Sequence, residues 1–131
     1  MADPEPVVTK LSADYVEIRC ERSYRGKTNG YWKETRTIQR LVDSGGSEVA
    51  IPQPVEWTEI APGIEARFHP DGESYRIGSH RHDHHWDLCV RIHRDACPVQ
   101  VQYLDTSEYI DYGDSSFSSS NMFVRWVRYE V

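Results

Sequence analysis

Apolar and polar residues begin to alternate at Asp14, and the alternation recurs along most of the chain. Val16, Ile18 and Cys20 interleave with Glu17, Arg19 and Glu21, the period-two pattern of a half-buried strand. Asn29-Gly30 tolerates positive φ at both positions and predicts a tight turn into a second strand over 31–42, making a long hairpin. Ser44-Gly45-Gly46-Ser47 predicts a turn. A short strand over 49–51 is then stopped by Pro52 and Pro54, and 55–60, with Trp57, predicts another strand.

Pro62-Gly63 turns the chain again, into what reads as a second hairpin. Ile64, Ala66 and Phe68 point inward, Pro70-Asp71-Gly72 turns, and Tyr75 and Ile77 return inward. After a polar loop, Trp86, Leu88, Val90 and Ile92 share one strand face, with Asp87, Cys89, Arg91 and His93 on the other. Residues 94–98 turn, and Val99, Val101 and Tyr103 answer on the next strand. Residues 122–131 are apolar on both faces, which predicts a strand buried on both sides or docked on a partner.

No ten-residue helical pattern with convincing caps interrupts this series, and there is no internal repeat. The expected fold is all-β: about eight mostly antiparallel strands in a sandwich or small barrel built from hairpins, with at most a single helical turn. Residues 14–131 form a single β domain, and residues 1–13 precede it as an arm rich in proline and acid that composition alone assigns to disorder. Residues 105–121 read as a long Ser-, Asp- and Tyr-rich loop of the kind that serves function or mobility.

Candidate chemistry concentrates in residues 78–90, which hold four of the six histidines. Imidazole ligates zinc and other transition metals, and alternate residues of an extended chain share a face. His80, His82, His84, His85 and Asp87 are therefore the candidate metal ligands. A closed site needs a further ligand such as His69 or His93, because strand neighbours lie about 6–7 Å apart. Known motifs fail here. His84 occupies the aspartate position of the metallo-β-lactamase pattern H-x-H-x-D-H. His85-Trp86-Asp87 begins a facial triad that nothing after His93 completes. Cys89 and Cys97 are too far apart for a zinc knuckle. At 25–28, Arg-Gly-Lys-Thr lacks the P-loop's first glycine, Glu21 standing in its place. A polar surface without native metal is the leading expectation, and no cofactor is expected.

Charge narrows the function classes. The net charge of −6 argues against generic binding to nucleic-acid phosphates. Residues 19–40 carry seven Lys or Arg against two Glu, a net of +5. Residues 41–73 carry seven acids against one Arg, a net of −6, and residues 105–114 a net of −4. Such segregation suits oriented assembly or an acidic loop offered to a basic partner, with Asp105, Glu108, Tyr109, Asp111, Tyr112 and Asp114 as candidate contacts. No apolar run approaches a membrane span, and the N-terminus lacks the features of a signal peptide. Three cysteines without a signal predict reduced thiols and a cytoplasmic location.

The leading expectation for function is a non-enzymatic binding or assembly protein acting through protein–protein contacts, either within a homo-oligomer or with another protein. An accessory subunit of phage or bacterial origin, or an inhibitor, fits this class. Two alternatives stand beside it. One is a small metal-dependent enzyme using the histidine cluster. The other is a barrel that holds a small molecule, with Trp32, Trp57, Trp86 and Tyr103 lining the cavity.

Overall fold

The structure is a computed structural model that describes residues 5–27, 30–111 and 118–131. It contains strands β1 (Val7–Lys10), β2 (Tyr15–Lys27), β3 (Gly30–Val42), β4 (Thr58–Ala61), β5 (Ile64–Ile77), β6 (His80–His93), β7 (Val99–Asp111) and β8 (Ser118–Glu130). A 3₁₀ turn, Arg94–Ala96, and a cis Cys97-Pro98 bond link β6 to β7. The strands form one sheet in the order β1-β8-β7-β3-β2-β6-β5-β4. All pairings are antiparallel except β1 with β8. The expected all-β class of about eight strands holds, and the sheet is not closed into a barrel.

Six strands run for 13 or 14 residues, roughly 45 Å each at normal strand rise. Only one end of each is packed. There Ile18, Ile38, Leu41, Ile64, Ala66, Leu88, Val90, Ile92, Val99, Val101, Tyr103, Val127 and Tyr129 form a single buried cluster. At this core end β2 and β3 do not pair; their ladder covers only Glu21–Lys27 against Gly30–Arg36. The backbone N–H of Ile38, freed from that ladder, donates to Cys20 Sγ at 3.2 Å. The sheet thus divides at the core end into two four-stranded halves whose buried faces supply one core. Val49 and Ile51 of the connection between β3 and β4 pack against it.

Three register shifts lie at or near the end of the core. They fall between Arg19 and Glu21 on β2, between Ile38 and Arg40 on β3, and between Phe68 and Asp71 on β5. A bulge adds a residue to one strand and re-aims the side chains beyond it. The shift beside Trp86 separates it from the inward row of Leu88, Val90 and Ile92. The indole instead lies under the Arg19 guanidinium at 4.5 Å and against His84.

Several sequence expectations are corrected. Pro70-Asp71-Gly72 does not turn the chain but lies inside β5. Proline is tolerated there because this stretch is a sheet edge, where a missing N–H costs no ladder bond. The turn lies instead between β5 and β6, with Gly78 at φ 63°. The polar histidine segment is not a loop but the first half of β6. Most of the expected 105–121 loop is strand, belonging to β7 and β8. Residues 49–51 form no strand, and the strand expected at 55–60 starts at Thr58, after Trp57. The arm is not wholly irregular, since β1 pairs with Val127–Glu130 of β8 and Lys10 meets Glu130 at 3.1 Å. The hairpin expected at Asn29-Gly30 exists as the antiparallel β2–β3 pair; Asn29 itself lies outside the described residues.

Candidate interaction surface

Beyond the bulges the strands continue side by side and, among the described residues, without a second layer. Directly paired residues share a face, so the register sorts the distal side chains into two surfaces. One surface carries Asp105, Ser107 and Tyr109 on β7 and Arg36, Glu34 and Trp32 on β3. It continues through Glu21, Ser23 and Arg25 on β2 to Trp86, His84 and His82 on β6, and ends at Asp71, Glu73 and Tyr75 on β5. The other surface carries Thr106 and Glu108, Thr35 and Lys33, Arg22 and Tyr24, Asp83 and His85.

Most charged groups here have local partners. Asp105 accepts two 2.9 Å hydrogen bonds from Arg36 and lies 3.8 Å from Arg125. The Asp105 carboxylate holds the Arg36 guanidinium above its usual range. Arg25 donates to Glu34 at 2.9 Å. His84 lies between two carboxylates, with Nε2 3.0 Å from Glu21 and Nδ1 3.9 Å from Glu73. On the opposite surface Asp83 bonds Ser74 and Arg81, and these bonds, Ser74 first, keep its carboxyl below the usual range.

The metal candidates do not converge. His80, His82 and His84 alternate on one face of β6, as expected, but His82 stacks on Tyr75 at 4.9 Å and His84 faces carboxylates. His85 points to the opposite face, against Tyr24 at 6.3 Å. Asp87 accepts from the backbone N–H of Leu88 at 2.6 Å, and His93 bonds Glu65 at 2.6 Å. Among the described residues, no three His, Cys, Asp or Glu side chains form a group able to hold a metal ion.

The aromatic cavity set is dispersed as well. Tyr103 is buried in the core, its hydroxyl 2.7 Å from that of Tyr129. Trp57 packs beneath Arg91, Trp86 beneath Arg19, and Trp32 stands exposed beside Tyr109. Trp32 borders a shallow recess, shared with Arg25, Gly30, Tyr31, His80, His82 and Tyr109.

The acidic contacts separate too. Asp105 is neutralised by arginine, Tyr109 lies tilted against Trp32 at 5.1 Å, and Glu108 stands on the opposite face across from Lys33. Asp111 closes β7, while Tyr112 and Asp114 lie outside the described residues.

Comparison with protein families, curated sequences and solved structures finds no match.

The feature that sequence reasoning located only in part is the β8 edge. β1 covers Val127–Glu130. Over Ser118–Trp126, among the described residues, β8 pairs with β7 alone. Met122, Phe123 and Val124 are 71%, 53% and 47% exposed there. Their apolar character on both faces was visible in the sequence, but their place on an open edge was not. The other distal edge, on β5, was not anticipated, because it was read as a turn.

The three cysteines are unpaired. Burial pushes all three thiols up from their usual range, which disfavours the reactive thiolate. Among the described residues, no helix is long and apolar enough to cross a membrane.

Proposed function

We propose that this chain is a non-enzymatic binding or assembly protein that acts through protein–protein contacts of its distal sheet. One observation carries the reading: half of an eight-stranded sheet extends past the core, and among the described residues its β8 edge pairs with β7 alone over 118–126, with three consecutive apolar residues exposed along it. Exposed strand edges with apolar side chains invite pairing with another chain. The acids, bases and histidines of this surface are paired with one another, which fits a binding role. The net charge of −6 favours protein partners over phosphate backbones. Unpaired cysteines fit a reducing compartment, and we assign the protein to the cytoplasm on that ground.

Hydrogen exchange across a protein-concentration series tests the assembly form of this reading. Slower exchange at 118–126 is expected as concentration rises. Exchange independent of concentration throughout the distal half would count against it. Elemental analysis of tag-free protein is the second arm. One zinc per chain, lost in His82→Ala or His84→Ala together with stability, would replace the binding role with a metal-dependent one.

A further inference from the structure

Resting on that assembly reading, we infer that the partner at the open edge is a second copy of this chain, its β8 paired antiparallel with the first β8 about a two-fold axis at Phe123. The two distal edges are not equivalent. The β5 edge carries Pro70, Asp71 and Glu73, a proline and two acids of the kind that blunt strand addition. The open part of β8 has no proline and no acid: Ser-Ser-Ser-Asn-Met-Phe-Val-Arg-Trp, residues 118–126. Its only charge, Arg125, already lies near Asp105 on the neighbouring strand. The adhesive edge is therefore β8, and head-to-tail joining of β8 to β5 is disfavoured.

Register follows from the side chains. An axis at Phe123 sets the two Phe123 rings opposite each other on one face. Met122 of each chain then faces Val124 of the other on the opposite face, and Asn121 faces Arg125. Every exposed apolar residue of the edge meets an apolar partner, and no like charges oppose. Aromatic and aliphatic cross-strand pairs of this type stabilise sheets. An axis at Met122 would put Phe123 against Asn121 and Val124 against Ser120. An axis at Val124 would put Phe123 against Arg125. Among the described residues the ladder of β1 stops at Val7, opposite Val127. Isologous pairing is also self-limiting: it closes as a dimer with one continuous sheet of sixteen strands, twice the eight of a single chain.

The test uses the full-length chain. Sedimentation equilibrium should give twice the chain mass for the wild type. Phe123→Lys, which sets two ammonium groups against each other at the axis, should halve that mass. Its circular dichroism and melting should stay close to the dissociated wild type, because the residue is exposed in the single chain. Mild oxidation of Phe123→Cys should give a covalent dimer on a non-reducing gel. Asn121→Cys should not, because its counterpart lies four residues out of register, and wild-type protein controls for the three native thiols. A dimer that survives Phe123→Lys, or that cross-links equally through Asn121→Cys, overturns the inference and leaves assembly through another surface. A wild-type monomer at every concentration also overturns it. Concentration-independent exchange of the whole distal half is the separate result that removes the assembly reading itself.

Discussion

Removing one hydroxyl from the buried tyrosine pair isolates a single interaction in the core. Tyr103 is 1% exposed and Tyr129 7%, and their hydroxyls meet at 2.7 Å between β7 and β8. Tyr103→Phe keeps the ring, including its contact with the Arg36 guanidinium 4.5 Å above the centroid. What changes is that the Tyr129 hydroxyl loses its partner in an apolar setting. A buried group left without a hydrogen bond costs about 1–3 kcal/mol. For a chain of 131 residues, each 1 kcal/mol corresponds to about 3–5 °C in Tm. Tyr129→Phe should cost a similar amount, for the reciprocal reason. The double variant removes both polar groups together and should cost clearly less than the sum, with a coupling of about 1–2 kcal/mol. Urea unfolding of the four proteins completes the cycle. Costs that add within about 0.5 kcal/mol would refute the claim that the hydroxyls satisfy each other.

Further outcomes follow from the same packing and charge pairs. Burial pushes both tyrosine ionisations up from their usual value, so the pair's stability is intact below pH ~10 and falls as pH rises past the unfolded-state value; an alkaline melting series should show this steepening, reduced in the double Phe variant. Glu130 is held below the usual carboxylate range by Arg128 and then by Lys10, so its contribution is present above that range and lost as pH falls through the depressed value. Protection of the β1 amides, relative to their intrinsic exchange rate, should therefore fall selectively in acid, and less so in Glu130→Gln. Gly63 has φ 75°, and an added Cβ would sit 2.9 Å from the Ala96 Cβ; Gly63→Ala should cost roughly 1–2 kcal/mol in urea unfolding. At Gly72 a Cβ would meet the His84 carbonyl oxygen at 2.9 Å, so Gly72→Ala should speed amide exchange in β5 and β6 beyond the bulge while leaving exchange in the core segments near wild type.

The readable parts of the sequence were those with a buried face. Val16 and Ile18, Ile64 and Ala66, Leu88, Val90 and Ile92, and Val99, Val101 and Tyr103 alternate because one side of each segment meets the core. The distal halves lack that contrast. His80 to Asp87 and Asp105 to Asp111 are exposed or half-exposed on both faces, so polarity does not alternate and extended chain resembles loop. Pro70-Asp71-Gly72 carries real turn chemistry, but here it lies in an edge strand beside a bulge. Trp86 reads as one more inward position until the register shift re-aims it. The histidine alternation was legible. That His84 would face Glu21 and Glu73 was not, because strand neighbours depend on sheet order, which one chain's periodicity does not encode.

A sheet that leaves its core behind needs another source of order, and here the cross-strand rows provide it. Arg36 with Asp105, Arg25 with Glu34, His84 with Glu21, Thr35 with Thr106, Trp32 with Tyr109 and Tyr75 with His82 each tie neighbouring strands. Such pairs contribute roughly 0.2–1 kcal/mol apiece, too little individually to replace a core but distributed across four ladders. They match polar groups to polar groups and rings to rings, from β5 through to β7. The pattern breaks at Ile77, 65% exposed at the end of β5 opposite His80, and over three consecutive residues of the last strand, where Met122, Phe123 and Val124 are exposed along an edge that, among the described residues, pairs with β7 alone. Opposite Phe123, the β7 residue is Asp105, whose carboxylate is already committed to Arg36 and offers the ring no apolar neighbour. Three consecutive exposed apolar residues on that strand are what the proposed neighbour would cover: an antiparallel copy of the same strand would give each of them an apolar cross-strand partner.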